Sequence, residues 1–200
     1  MTRVIGGARR ENSAEHSWHL AVMAGLLAEY APEGCDPGRA ARMLLIHDIV
    51  EVDAGDAFCF DERANLGREE RERQAAERIF GLLPADQAQD LRALWEEFEH
   101  GDTPDARYAA ALDRLQGMLQ NLHNEGGTWL EHDVPRAKVL ARLEPVRTGA
   151  PDLWPFVQEV VDRLRPAASR AAGSGDRAHG SDAGPEAAPA RKRGAEAPQR

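Results

Sequence analysis

In the stretch MLLIHDIVEVDAGD, residues 43–56, His47 and Asp48 follow directly on an apolar run, and Glu51, Asp53 and Asp56 come soon after. Burying an imidazole or a carboxylate without a partner costs several kcal/mol, of order ~2–7 even for a neutral polar group. Something must compensate the pair: a hydrogen-bonded partner, a salt bridge or a metal ion. If one helix carries the segment, Glu51 lies one turn beyond His47 on the same side, while Asp48 points about 100° away. Two neighbouring ligands can then reach one ion from different directions, and further ligands must come from elsewhere.

Two other residues are out of place in the same way. His16 shares a helical stripe with Leu20, Met23 and Leu27, and Asp113 stands in the middle of YAAALDRLQGM, flanked one turn away by Ala109, Ala110 and Gly117. Taken alone, each has an ordinary explanation, a hydrogen-bonded core histidine or a solvent-facing aspartate. Gly117 offers Asp113 no partner one turn on, and the small residues around it let other helices come close. His19, beside Trp18, reads as a core histidine.

The elements that must position these residues are helical. Apolar residues recur at three and four positions and strand-like alternation is absent, so an all-α fold is predicted. The first helix opens at Asn12 or Ser13 with Glu15 completing a capping box, and runs to about Tyr30. The second starts at Asp36 and Pro37 and continues through Ile46 to the His-Asp pair. A charged helix before Pro84 has Ala75, Ala76, Ile79, Leu82 and Leu83 inside. Another carries Leu91, Leu94, Trp95 and Phe98 to Gly101. Thr103 and Pro104 start a long helix to about Asn124, with Leu112, Leu115, Leu119 and Leu122 on one face. Two shorter helices follow, Arg136 to Glu144, stopped by Pro145, and Leu153 to Leu164.

Composition sets outer limits. With 200 residues and 42% hydrophobic content the chain suits one domain with a substantial core. That domain is expected over residues 1–165. Residues 166–200 contain no large apolar side chain, so they cannot bury enough surface to offset the entropy of ordering and are expected to be disordered. Cys35 and Cys59 have no CxxC spacing, which argues against a disulfide framework or a cysteine-based zinc site. A net charge of −9 argues against a duplex nucleic-acid binder, because such proteins neutralise phosphates with Lys and Arg. No membrane-length apolar run and no secretory signal are present, so a cytoplasmic protein without membrane partners is expected.

Together His16, His47, Asp48 and Asp113 form an H…HD…D series, and here the chain resembles the HD-domain metal-dependent phosphohydrolases. More narrowly, RRENSAEHSWHLAVMAGLLAEYA, LLIHDIVEVDAGD and ALDRLQGMLQN resemble the branch that contains the bacterial 5'-deoxynucleotidases. The likeness spans about residues 9 to 165. It implies a helical bundle of about six to seven helices, in which His16, His47, Asp48 and Asp113 hold one divalent cation. A mixed nitrogen and oxygen set suits Mn²⁺, Co²⁺, Fe²⁺, Ni²⁺ or Zn²⁺ better than Ca²⁺ or Mg²⁺.

The resemblance also assigns roles outside the ligand set. Glu51 matches a glutamate that moves protons, Asp56 an aspartate that orients water or substrate, and Arg9, with Arg10 beside it, an arginine that contacts phosphate. It implies a further helix and substrate-binding segment before Arg9, where this chain has eight residues, so either the start is truncated or part of the pocket that selects base and sugar is lost. The implied activity is hydrolysis of a (deoxy)nucleoside 5'-monophosphate, a small phosphorylated substrate, by a protein able to form a homodimer. Two alternatives compete: an HD-type hydrolase of another phosphate ester or a cyclic nucleotide, and a metal-stabilised binding module weakened as a catalyst. Retention of Glu51 and Asp56, which a scaffold does not need, favours the enzyme.

Overall fold

A computed structural model describes residues 2–55 and 66–164. Asp56, Cys59 and the predicted tail lie outside the described residues. Helix α1 (Ser13–Leu26) begins where the capping box places it: the Asn12 side chain accepts the Glu15 N–H at 3.0 Å, and the Glu15 carboxylate accepts the Asn12 N–H at 3.1 Å. It ends before the predicted Tyr30, because residues Ala28–Tyr30 tighten into a 3₁₀ turn. Helix α2 (Pro37–Leu44) is capped by the Asp36 carboxylate, which accepts the N–H groups of Gly38 and Arg39.

The continuous helix expected through the His-Asp pair does not form. After Leu44 the chain makes successive turns with bonds three residues apart, Ile49 N–H to Ile46 O and Glu51 N–H to Asp48 O, before the single turn of α3 (Glu51–Ala54). Gly55, at φ 83°, ends it. Then come α4 (Arg68–Phe80), α5 (Ala85–His100), α6 (Pro104–His123), α7 (Gly127–Glu131), α8 (Arg136–Gly149) and α9 (Trp154–Leu164). Among the described residues, seven of these helices are eight residues or longer, and they form the predicted all-α bundle. None is long and apolar enough to cross a membrane.

Helix α6 runs through the centre and touches α1, α2, α5, α7, α8 and α9. Its Ala106, Ala109, Ala111, Leu112, Leu115 and Met118 are buried, and fully buried Tyr108 donates its hydroxyl to the Ala24 carbonyl at 3.1 Å. A helix enclosed on several sides can carry a polar side chain inward only where a partner meets it. A smaller core of Val50, Ala75, Ala76, Phe80 and Trp95 joins the turn after α2 to α4 and α5.

Two expectations change. Leu82 and Leu83 are 73% and 36% exposed, because α4 stops at Phe80 and that ring fills the inner position instead. Pro145 does not stop α8. The helix continues to Gly149, since Val146 and Gly149 still pack inward, and burying Val146 returns about 1.5–3 kcal/mol against the hydrogen bond that proline removes.

Candidate metal centre

The inner face of α1, the turns after α2 and the middle of α6 converge on one buried point. His16, His47 and Asp48 each offer a ligand atom there, and these atoms lie within 4.8 Å of one another. His47 Nε2 is 3.0 Å from Asp48 Oδ1, and His16 Nε2 is 3.7 Å from Asp48 Oδ2. Asp113 joins through His16, whose Nε2 lies 3.2 Å from its Oδ1. The structure therefore gathers all four residues of the H…HD…D series.

Tautomers follow from the hydrogen bonds. The Leu44 carbonyl lies 2.9 Å from His47 Nδ1 and can only accept, so Nδ1 carries the proton. Nε2 then has a free lone pair. It is buried, makes no hydrogen bond of full geometry and faces Asp48 Oδ1 at 3.0 Å, a placement that suits a nitrogen sharing an ion with that carboxylate. Phe98 packs its ring 4.9 Å from that of His47 and closes one side.

The field of the site favours positive charge. Burial alone would lower the His16 pKa, but Asp113, Glu11 and Asp48 outweigh it and push the ring up to about 10. Burial likewise works to raise Asp113, and Arg114 together with His16 and His47 overcomes it, holding the carboxyl well below the usual range. Arg114 donates to Asp113 Oδ2 at 2.5 Å. Two imidazoles and two carboxylates around one buried point fit a first-row divalent cation.

These groups line a cleft of about 930 Å³. Glu51 lines it too, as the first residue of α3 rather than as a later turn of α2, and Arg68 Nη2 meets its carboxylate at 3.3 Å. Asp56 lies outside the described residues. Arg9 and Arg10 are not among the described residues that line the cleft, and Arg9 makes a bidentate pair with Glu15 at 2.7 and 2.6 Å on the exposed end of α1. The guanidinium groups that do line it are Arg68, Arg73, Arg114 and Arg142. Sequence reading passed over Arg114, although its place beside Asp113 was a signal. It also passed over Arg68, which pairs locally with Glu72 four residues on in α4 and reaches Glu51 only through the tertiary fold.

His19 is half-buried with Nδ1 3.3 Å from Gln116 Nε2, in keeping with a structural histidine. Glu11 was not singled out, yet its side chain is buried and its Oε1 lies 3.5 Å from His16 Nδ1.

A model of the HD domain matches residues 2–154. Among curated proteins, 5'-deoxynucleotidase HDDC2 of Homo sapiens is 28% identical over 152 residues, covering 76% of this chain and 72% of the human protein. HDDC2 of Xenopus laevis is 32% identical over 115 residues, 58% of this chain and 56% of the relative, so there the chain spans little more than half of the protein it matches. A crystal structure of a predicted metal-dependent phosphohydrolase from Magnetospirillum magnetotacticum MS-1 superposes with a TM-score of 0.80 at 54% identity, covering 84% of each chain.

Proposed function

This chain belongs to the HD domain family, and from that premise we propose that it hydrolyses (deoxy)nucleoside 5'-monophosphates to nucleoside and phosphate, using one divalent ion held by His16, His47, Asp48 and Asp113. The enzyme class is metal-dependent phosphohydrolase, as in its structural relative. The observation that carries the ligand assignment is convergence: His16, His47 and Asp48 offer ligand atoms within 4.8 Å of one another, and Asp113 Oδ1 lies 3.2 Å from His16 Nε2. The deoxynucleotidase relatives support the choice of substrate.

When bound, the ion supplies charge neutralisation for the phosphoryl group and lowers the pKa of water at the site. The rest falls to the chain. Glu51 takes the proton of the attacking water and returns a proton to the departing 5'-oxygen, so that alcohol and phosphate leave with protons balanced. Arg68 holds Glu51 in place through the 3.3 Å pair. Arg114 orients Asp113. Phosphate contact falls to guanidinium groups, whose planar fork matches its oxygens; Arg68 and Arg114 face the cleft already, and Arg9 would have to exchange Glu15 for substrate. The family resemblance alone assigns Asp56, outside the described residues, the orientation of water or substrate.

A homodimer belongs to the same reading. Trp18, Val22 and Leu26 form an exposed apolar row along α1, and sedimentation of wild type against Trp18→Lys tests whether it mediates association.

The deciding experiment is phosphate release from a panel of ribo- and deoxynucleoside monophosphates by metal-stripped protein, with each divalent ion restored in turn. Release from the monophosphates supports the proposal. Hydrolysis confined to cyclic nucleotides or other esters transfers the site to the first alternative, and metal binding without any hydrolysis transfers it to a binding module.

A further inference from the structure

We infer that Glu11 is a positioning residue of the metal centre: its buried carboxylate holds the proton of His16 on Nδ1, so that Nε2 is the nitrogen offered to the ion. The inference rests on the reading of His16 as a ligand. His16 Nε2 faces Asp113 and Asp48, at 3.2 and 3.7 Å. On the opposite edge of the ring, Nδ1 is buried without a hydrogen-bond partner at full geometry, and Glu11 Oε1 stands 3.5 Å away, at the edge of hydrogen-bonding range. His47 has the same arrangement with a backbone carbonyl in the place of the carboxylate. A carboxylate behind a ligating imidazole fixes its tautomer and makes the ring more basic.

The way Glu11 is held points to placement rather than to stability. Its Oε2 accepts from Gln116 Nε2 and Gln120 Nε2, each at 2.8 Å, and its Oε1 accepts from the Thr2 hydroxyl at 2.6 Å. The two amides must turn their NH₂ groups toward the carboxylate, because the reverse orientation would set oxygen against oxygen. Their own Oε1 atoms are thereby left buried without hydrogen bonds, a desolvation cost the fold accepts. A tie needed only to fasten the N-terminal segment to α6 could have been apolar. Gln116 and Gln120 stand three and seven residues beyond Asp113 on α6, so one helix sets a ligand and the clamp of the other ligand's partner.

Glu11→Gln tests the inference. The new amide must give its oxygen to the two glutamines, which turns its NH₂ toward Nδ1 and drives the His16 proton to Nε2, the nitrogen the ion requires. In the metal-stripped protein, titration with Co²⁺ by calorimetry and visible absorption should show affinity reduced by roughly 10–100-fold and an altered cobalt spectrum. The melting temperature of the ion-free protein should stay near that of wild type, and Glu11→Asp should recover part of the affinity. Unchanged cobalt affinity in Glu11→Gln would overturn the inference. Should that variant fail to fold, Gln120→Met loosens the clamp at constant volume, and wild-type affinity there would overturn it equally. Wild-type protein that binds no Co²⁺, Mn²⁺ or Zn²⁺ at all would instead refute the ligand assignment beneath.

Discussion

His16 Nε2 and Asp113 Oδ1 lie 3.2 Å apart although 97 positions separate them in the chain. The contact closes α1 onto α6 and brings Asp113, the last member of the H…HD…D series, to His16.

Asp113→Asn keeps the shape of that side chain and removes its charge. Bound divalent ion is expected to fall well below one per chain and phosphate release to drop with it, as measured by elemental analysis and initial rates on one preparation. Full metal content in the variant would exclude Asp113 from the ligand set.

Glu51→Gln separates proton transfer from metal binding. It should keep the fold and nearly all the metal, and lower turnover by roughly 10²–10⁴, the usual contribution of general acid-base catalysis. Joint loss of metal and rate would make Glu51 a ligand. No change in either would reduce its pairing with Arg68 to a surface contact.

Gly149→Ala probes a close approach of α8 to α6. A Cβ there would lie 2.0 Å from the Arg107 carbonyl oxygen and 2.9 Å from Ala111 Cβ. The helix propensity gained is at most about 1 kcal/mol, and overpacking against backbone costs typically ~1–3 kcal/mol or more. Thermal denaturation should therefore shift downward by several degrees. Gly25→Ala is the control: nothing lies within 4 Å of its added Cβ, so the melting temperature should hold or rise.

Acid stability should report the knot of Arg39, Glu97 and Thr103 that ties α2 to α5 and α6. Arg39 donates to both Glu97 oxygens at 2.6 and 2.5 Å, and Thr103 donates at 2.6 Å. The Arg39 hydrogen bonds, opposed by burial and assisted by Thr103, hold the Glu97 carboxyl below its ordinary 4.5. A depressed folded-state pKa means stabilisation that is fully present above 4.5 and is lost as pH falls through the lower folded value. Urea unfolding of Glu97→Gln and wild type should thus differ most above pH 4.5 and converge below it. A difference that grew on acidification would reverse the sign and rule the knot out.

Helix starts were legible in the amino-acid order because a cap is a local device: Asn12 with Glu15, Asp36 with Pro37, and Thr103 with Pro104 each satisfy N–H groups a few residues away. His16, His47, Asp48 and Asp113 stood out singly as polar groups among apolar neighbours, and it was the family resemblance that joined them into one series. Other features depend on neighbours remote in sequence. The helix breaks after Leu44 because the turns around His47 and Val50 answer to packing against α4 and α5, and α8 passes through Pro145 because α6 lies under Val146 and Gly149. Arg9 matched a motif, yet its fork is taken by Glu15, while Arg68 and Arg114 reach the cleft from helices that only folding brings there. Glu11 shows the division most plainly. Its sequence neighbours mark it as a charged residue before a helix, and burial against Gln116, Gln120 and His16 puts its carboxylate behind the metal centre, because its partners come from two helices and the N-terminal segment at once.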